Sequence, residues 1–492
     1  MLDVPEAVVN LDDFRISYET GFLPCTTTTT MNKESRPLHK LSNPYYAPWE
    51  DIMPDLPELI RSGEIRRRVL DLPVLSVEGL NSQSQNDHEN HDEAEWQRAY
   101  VILGFLTHAY IWGGEKAENR LPVSISLPFL QVAARLELPP CATYAALNLW
   151  NFTTITNKNT TNNEEEEEED IDLTNPDNIT TINSFTGTDD ERWFLVVSVA
   201  IEACGAKVIR LVLDTINAIH IAVGESHNIT IEAKNTLITN FLSQMADCID
   251  ELGRILDRMY ERNDPMVFYH QLRPLLAGSK NMATAGLPNG VFYDLGDGQG
   301  EWHQYSGGSN AQSSLIQLFD IALGIQHTAS GEVEGKKSND KQTAFMKEMR
   351  NYMPGPHRRF LEHVASITNI RPYALSLPAS SAVRQAYNAV VMKLGGFRDK
   401  HIQIVSRYVI APASRPPPQR QNGLSTGSCT QRVNLASATS RMKAEAGGSL
   451  SFEEKETKRE ENKVFYGTGG TDLIPFLKAT RDGTKAAARF VD

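Results

Sequence analysis

The chain has 492 residues, of which 40% are hydrophobic, and its 48 basic and 62 acidic side chains give a net charge of -14. Seven of the negative charges lie in one run at residues 164–170, so the remainder carries only about -7. This composition predicts a globular chain of about two or three domains with a large core. It excludes a nucleic-acid partner, because no basic surface is indicated.

Cysteine use and hydropathy limit the class of protein further. The five cysteines are far apart and form no C-x-x-C pair, so neither a disulfide framework nor a zinc ribbon is predicted. The most apolar segment, residues 193–213, is interrupted by Glu202, Lys207 and Arg210, which makes it unsuited to crossing a membrane. The N-terminal residues also lack the pattern of a secretory signal. We therefore expect a cytoplasmic protein with no membrane partner.

Low-complexity segments divide the chain into units. An insert rich in Thr, Asn and Glu at residues 153–189 and a charged insert at residues 412–462 cannot bury enough apolar surface to fold alone, so both are predicted to be disordered. Residues 1–152 then form a small N-terminal domain, and residues 190–411 form a large one. Residues 463–492 are expected to return to the large domain as a loop and a final helix.

Apolar residues recur at helical spacing in most segments between the inserts. Residues 96–113, 189–219 and 230–262 are predicted to be helices, and Asp264-Pro265 begins another. The turn-rich residues 281–310 lack the glycine spacing of a phosphate-binding loop, so no nucleotide site is predicted there.

The segment GFRDKHIQIVSRYVI, residues 396–410, contains the best candidate for a cofactor ligand. His401 lies in an otherwise apolar helical stripe that includes Ile402 and Val405, and Arg398 lies one turn earlier on the same side. A neutral imidazole can ligate the iron of a porphyrin, and a nearby guanidinium can bind a propionate. A histidine on an apolar helix is more often a buried core residue, and the segment by itself leaves this alternative open.

Asp320 is a second polar residue on an apolar face, because it aligns with Ile316 and Leu323 in a predicted helix. A buried carboxylate needs a partner, which either an arginine or a metal-bound histidine would supply. An interhelical salt bridge with no part in chemistry explains this residue equally well.

A glycine-rich turn, YGTGGT at residues 466–471, precedes the last predicted helix. Its position beyond a long insert predicts a lid in which Thr468 and Thr471 reach over a pocket. A simple helix N-terminus is the alternative.

Eight segments outside the inserts occur in a fixed order along the chain. They are PYYAPWEDI, LELPPCATYAALNLWNF, WFLVVSVAIEA, MVFYHQLRPLLAG, YSGGSNAQSSLIQLFDIALGIQH, MRNYMPGPHRRFL, FRDKHIQIVSRYVIAPA and YGTGGTDLIPFLK. In this order they resemble the indoleamine 2,3-dioxygenase family, and the long inserts indicate a fungal-type member. The resemblance covers most of the chain outside the inserts.

The resemblance implies an all-α fold in which a small N-terminal helical domain packs on a large helical domain that binds haem. It implies His401 as the proximal iron ligand, Arg398 as a propionate partner and Asp320 as a group near the proximal side. Arg273 is implied to bind the substrate carboxylate. The other residues implied to line the substrate pocket are Tyr144, Leu147, Phe194, Ser198, Phe268, Gly307, Gly308 and Ser309, with Thr468 in the lid.

The implied activity uses haem b, ferrous in the active state, to insert both atoms of O2 across the indole C2=C3 bond of L-tryptophan. The product is N-formylkynurenine, on the route of tryptophan catabolism towards NAD. No acid or base is assigned, and Ser198 is expected to assist without being essential. The implied partners are L-tryptophan, O2 and a cellular reductant, and the protein is expected to be a monomer. A haem-binding sensor or carrier without turnover, or a helical scaffold without a cofactor, are the alternatives.

Overall fold

Helices make up most of the structure, which confirms the predicted all-α class. The computed structural model describes residues 9–24, 37–81, 89–155, 171–222, 229–325, 340–413, 415, 440–442, 463–465 and 473–491. No helix in this described part combines the length and the hydropathy that crossing a bilayer requires.

The α-helices are α1 (Ala47–Glu50), α2 (Leu56–Ser62), α3 (Ile65–Leu70), α4 (Glu89–Trp112), α5 (Val123–Arg135), α6 (Asp189–Cys204), α7 (Ala206–His220), α8 (Ile231–Asp257), α9 (Pro265–Val267), α10 (Arg273–Leu276), α11 (Ser314–Ala322), α12 (Asp340–Arg350), α13 (Gly355–Ile367), α14 (Ile370–Ser376), α15 (Ala382–Val405), α16 (Ala411–Ala413) and α17 (Leu473–Ala486). The strands are β1 (Arg120–Leu121), β2 (Phe152–Thr154), β3 (Ile179–Thr181), β4 (Val291–Gly296), β5 (Gln299–His303), β6 (Ser440–Met442) and β7 (Lys463–Phe465).

Helix α15 carries the candidate ligand, and its sequence explains how that residue is placed. Ser381 caps the helix by accepting a hydrogen bond from the backbone N–H of Arg384. From Tyr387 onward, residues at i, i+4, i+7, i+11 and i+14 lie on one side of an α-helix. In this chain those residues are Tyr387, Val391, Leu394, Arg398 and His401. The apolar stripe that holds the helix in the core therefore also carries the arginine and the histidine inward.

The core is continuous along the chain. Helix α15 packs most extensively against α8, and α17 also lies against it. Most buried hydrophobic side chains of the described residues form one connected cluster that runs from Leu11 to Ala488. The cluster crosses the boundary predicted after residue 152, so the two predicted domains share a core, and their division stays a prediction.

A β-hairpin lies within residues 281–310, which the sequence predicted to be rich in turns. Strands β4 and β5 pair in antiparallel fashion, and β1 pairs with β4 in parallel. The two-residue loop between β4 and β5 is Asp297-Gly298, and both residues have positive φ, at 51° and 78°. Such an Asp-Gly loop matches the right-handed twist of paired strands and is a strong hairpin signal. The Asp-Gly dipeptide is therefore a sequence signal for this hairpin, although the prediction of a turn-rich segment did not include the two strands.

The linker predicted for residues 153–189 is too long, because residues 171–189 fold onto the core. Strand β3 pairs with β2, which links Thr180 to Thr153 across the insert. Phe185 is fully buried and stacks on Phe105 of α4 with ring centroids 4.3 Å apart. A few apolar side chains therefore order a segment whose average composition indicated disorder. The acidic run at residues 164–170 lies outside the described residues.

His108 in α4 forms hydrogen bonds to two segments that also contribute residues to the candidate site. Its Nδ1 lies 2.8 Å from the carbonyl oxygen of Leu275, so Nδ1 carries the proton and donates. Its Nε2 accepts a hydrogen bond from the backbone N–H of Ala142 at 3.1 Å. Burial lowers the pKa of His108 to about 4. His108 is therefore a residue of the protein core.

We expect the His108 side chain to make folding stability depend on pH. The unfolded chain takes up a proton at this histidine below about pH 6.5, but the folded chain does so only near pH 4. Stability should therefore fall as the pH drops from 6.5 to 4, by about 3 kcal/mol from this residue. Urea unfolding at several pH values should show a weaker dependence in His108→Gln. An unchanged dependence would contradict the assignment.

Candidate active site

A cavity of about 250 Å³ lies where α6, α15 and α17 meet the segment before α11. Its walls are mainly apolar. Asp320 lies behind the wall, and Thr468 lies outside the described residues. The structure brings most of the predicted site residues to this one cavity: Tyr144, Leu147, Phe194, Ser198, Phe268, Arg273, Gly308, Ser309, Arg398 and His401.

His401 presents a neutral imidazole to the cavity. The side chain is partly buried, and it belongs to the cavity lining. Burial, together with the nearby positive charge of Arg398, lowers the pKa of His401 to about 4. No residue that the structure describes hydrogen-bonds either ring nitrogen. An uncharged imidazole with a free nitrogen lone pair is the form that ligates a metal.

Arg398 and Asp320 form a buried ion pair next to His401. Nη2 of Arg398 donates to both carboxylate oxygens of Asp320, at 2.7 and 2.8 Å, and Nη1 bonds the hydroxyl of Thr484 in α17. An arginine is therefore a partner of Asp320, as one of the two sequence-based alternatives expected. The pair fixes α15 against α11 and α17, because a buried charge is held firmly by its counter-charge. Arg398 also borders the cavity. Its predicted hydrogen bond to a haem propionate stays a prediction.

π-helical turns form three parts of the cavity wall. They are Ala145–Leu149, Phe268–Leu272 and Ser406–Ile410. A π-turn holds an extra residue, which rotates the side chains around it relative to a regular α-helix and is frequent at functional sites. A spacing of 3.6 residues does not predict such turns. Each of the three turns contributes at least one side chain to the cavity, namely Leu147, Phe268 and Tyr408.

Aromatic rings line the cavity from the α6 side to the end of α15. The rings of Phe194 and Phe268 have centroids 4.9 Å apart, and Phe268 meets Tyr408 edge-on at 5.8 Å. Tyr408 is held in place because its hydroxyl lies within hydrogen-bond distance of the carbonyl oxygens of Met259 and Asn263, at 3.0 and 2.9 Å. These contacts give the cavity flat, apolar surfaces that suit a planar ring.

Arg273 brings a positive charge to the same cavity. It is only 4% exposed, and its guanidinium lies over the ring of Tyr269 at 5.5 Å. Burial lowers the pKa of Arg273, although an arginine stays charged at any physiological pH. A cation in an apolar cavity is a strong site for an anion, and a guanidinium can bind a carboxylate through two parallel hydrogen bonds.

Ser198 lies one turn after Phe194 on α6 and borders the cavity. Its hydroxyl donates to the carbonyl oxygen of Phe194 at 3.4 Å, which is a long hydrogen bond. A hydroxyl held so weakly can rotate toward a ligand.

The turn at Gly307 and Gly308 needs glycine because other atoms approach it closely. A Cβ atom on Gly307 would collide with the carbonyl oxygen of Leu276 and the backbone nitrogen of Gly278. A Cβ atom on Gly308 would meet a terminal methyl group of Leu147. The turn therefore lies directly on the backbone that follows Arg273 and on a side chain of the cavity wall.

We expect Gly307→Ala to destabilise the protein by about 1–3 kcal/mol, because two backbone segments would have to separate. Gly308→Ala should cost less, since the end of a leucine side chain can move, and its main effect should be a smaller cavity. Gly396→Ala is a matched control in α15, where an added Cβ atom meets nothing within 4 Å. Thermal unfolding of the three variants checks this order, and equal stabilities would contradict it.

Several cavity residues were not identified from the sequence. They come from helices that are remote in the chain, and their spacing resembles that of ordinary core residues. Phe345 and Phe476 illustrate this, because their rings meet at 4.9 Å although 131 positions separate them. The unidentified residues include Asn263, Phe345, Met346, Phe397, Phe476 and Thr480.

The fold and the cavity together define a helical protein with a neutral histidine and a buried arginine at one mainly apolar cavity. The family model for indoleamine 2,3-dioxygenase matches residues 10–487. The chain belongs to the indoleamine 2,3-dioxygenase family, which confirms the sequence-based resemblance. It is therefore a dioxygenase, a class of oxidoreductase.

Relatives in fungi align with nearly the whole chain. Indoleamine 2,3-dioxygenase qulI of Penicillium citrinum is 38% identical over 97% of this chain and 89% of its own length. The indoleamine 2,3-dioxygenase of Saccharomyces cerevisiae is 37% identical over 97% of this chain and 93% of its own. The 6-hydroxytryptophan 2,3-dioxygenase fscD of Fusarium equiseti is 34% identical over 97% of both chains.

The family depends on haem, and the residues at the cavity fit that group. His401 offers an uncharged ring nitrogen that is hydrogen-bonded by no described residue. The aromatic walls provide flat apolar surfaces for a porphyrin, and Arg398 brings a cation that can face a propionate. Among the described residues that line the cavity, the charged ones are Arg273 and Arg398, and both are cations.

Proposed function

We propose that this dioxygenase acts on L-tryptophan, inserting both atoms of O2 across the indole C2=C3 bond to give N-formylkynurenine, with haem b as its cofactor. One observation carries the proposal: His401 and Arg273 border the same aromatic-walled cavity. Membership of a dioxygenase family favours turnover over the alternative of a haem-binding sensor or carrier.

His401 would hold the haem iron through its free ring nitrogen, and the ion pair between Arg398 and Asp320 would keep the α15 backbone in register behind it. A neutral imidazole is the suitable ligand, and the pKa of about 4 keeps it neutral throughout the physiological range. When bound, ferrous haem supplies the iron that activates O2 for its reaction with the indole.

The protein's own part is to position the substrate and to exclude water. Arg273 binds the carboxylate and so sets the orientation of the amino acid in the cavity. Phe194 and Phe268, whose rings contact each other, present an apolar surface to the indole, and Leu147 and Gly308 limit the space beside it. No side chain is assigned as an acid or a base, and Ser198 assists by a hydrogen bond that is not essential.

Other predicted partners and surroundings stay part of the proposal. They are a cellular reductant that keeps the iron ferrous, a monomeric state and a cytoplasmic location. The lid that includes Thr468 lies outside the described residues, and it stays a prediction from the sequence.

The proposal is tested with the purified holoenzyme, chemically reduced and supplied with L-tryptophan and ¹⁸O2. The expected product is N-formylkynurenine that carries two labelled oxygen atoms. A product with one labelled atom contradicts dioxygenation, and absence of product from a haem-loaded protein favours the carrier alternative. A parallel reaction with 6-hydroxytryptophan, the substrate in the name of the Fusarium equiseti relative, identifies which indole amino acid the cavity prefers.

A further inference from the structure

Glu202 is a buried carboxyl group directly behind the cavity wall. It lies in α6, one turn after Ser198, and its side chain is 1% exposed. Its Oε1 accepts hydrogen bonds from the phenol hydroxyl of Tyr144 at 3.0 Å and from the hydroxyl of Ser313 at 2.6 Å. Its Oε2 is buried and has no hydrogen-bond partner among the described residues. A buried carboxyl with an unsatisfied oxygen is costly, so it calls for an explanation.

Both partners of Glu202 border the cavity, and they belong to different segments. The backbone N–H of Tyr144 donates to Oε1 of Gln312 at 2.9 Å, and Nε2 of Gln312 donates to the carbonyl oxygen of Gly307 at 2.8 Å. Ser313 caps α11 through the backbone N–H of Ile316. One carboxyl group therefore connects α6, the start of the first π-turn and the segment that contains the glycine turn.

We propose that Glu202 is a positioning residue for substrate binding, which acts by holding Tyr144 and Ser313 together so that the cavity wall keeps its shape. The proposal rests on the proposed function only in taking an indole amino acid as the ligand. As a carboxylate, Glu202 receives two charge-assisted hydrogen bonds, which are roughly twice as strong as neutral ones. As a neutral acid it holds the two hydroxyl groups less firmly, and the wall becomes looser.

The protonation state of Glu202 changes near neutral pH. Burial raises the pKa of Glu202 to about 7, and the hydrogen bonds from Ser313 and Tyr144 partly oppose this shift. Tyr144 is the titratable group that faces the carboxyl, and its own pKa lies well above its ordinary value because of burial and of Glu202. No charged group on the described parts of the elements that pack against α6, among them α7 and α8, contributes to the shift of Glu202.

The affinity for tryptophan should therefore weaken as the pH falls through about 7. Glu202→Gln has the same shape and keeps a carbonyl acceptor, but it can carry no charge. We expect the haem-loaded variant at pH 8 to bind tryptophan about tenfold more weakly than the wild type, and its affinity should be nearly constant between pH 6 and 8. Binding is measured from the change that tryptophan causes in the Soret band, so the measurement needs no turnover.

Glu191→Gln is the matched control, because Glu191 is also a buried carboxyl of α6 with hydroxyl partners, Ser184 and Thr186, but it does not border the cavity network. It should keep the pH profile of the wild type for tryptophan binding. Unfolding gives a second readout. The folded pKa of Glu202 lies above its ordinary value of 4.5, so the contribution of this residue to stability should fall as the pH rises from 4.5 through 7, and the stability difference between Glu202→Gln and the wild type should change with pH by that amount.

A folded, haem-loaded Glu202→Gln with the binding profile of the wild type overturns the proposal. If that variant fails to fold, Tyr144→Phe takes its place, because it removes one of the two hydroxyl groups that Glu202 holds. It should weaken binding and flatten the pH profile, and a wild-type profile overturns the proposal equally. Absence of N-formylkynurenine from the wild type refutes the proposed function alone, since the binding measurements do not depend on that product.

Discussion

We expect the His401→Ala protein to lose the Soret band of the haem-loaded wild type almost completely. The imidazole of His401 is the one histidine side chain of the described cavity lining, and its low pKa keeps a nitrogen lone pair available for iron. Alanine offers no ligand atom, and the remaining apolar contacts do not replace a metal–ligand bond. The measurement is the absorption spectrum of the purified protein after haem is added, together with its haem content.

Two further variants separate the loss of a ligand from the loss of the fold. His401→Gly leaves a gap in which free imidazole can bind, so added imidazole should restore much of the Soret band. His357→Ala is the matched control, because His357 is another buried histidine with a strongly lowered pKa, but it does not border the cavity. It should keep the band. An unchanged spectrum in folded His401→Ala would show that another residue ligates the iron.

The position of His401 was predictable because a single helix carries all the information. Ile402 and Val405 continue the apolar stripe after His401, Arg398 lies one turn before it, and burial of the apolar side of the helix turns His401 inward. Collinear segments then supplied the other site residues through resemblance to the family. The structure places most of these residues at one cavity, although spacing alone does not show that Tyr144 and Arg398 both border it.

Features that depend on long-range contact were not predictable. The sequence left the partner of Asp320 open, and the structure supplies Arg398 from a helix 78 positions later. Helix α6 is apolar on nearly all sides, so its periodicity does not indicate which of its residues share a face with Ser198. The role of Glu202 became evident only when Tyr144 and Ser313 were found beside it.

We expect Arg273→Ala to keep its haem but to lower kcat/KM for L-tryptophan by about a hundredfold or more. Truncating one member of a buried, hydrogen-bonded charge pair costs about 2–5 kcal/mol, and Arg273 is the proposed partner of the substrate carboxylate. Arg273→Lys keeps the charge but loses the planar donor pair, so its kcat/KM should lie between those of Arg273→Ala and the wild type. Steady-state formation of N-formylkynurenine measures the effect, and an intact Soret band shows that the site still holds haem.

An indole without a carboxylate tests whether the guanidinium acts on that group. Tryptamine lacks the carboxylate of tryptophan, so it should bind weakly to the wild type and should lose little more in Arg273→Ala. The two changes remove the same interaction, and their effects should therefore not add. If Arg273→Ala instead impairs tryptamine as strongly as tryptophan, the effect of Arg273 passes through its packing on Tyr269, and the arginine shapes the cavity without binding the carboxylate.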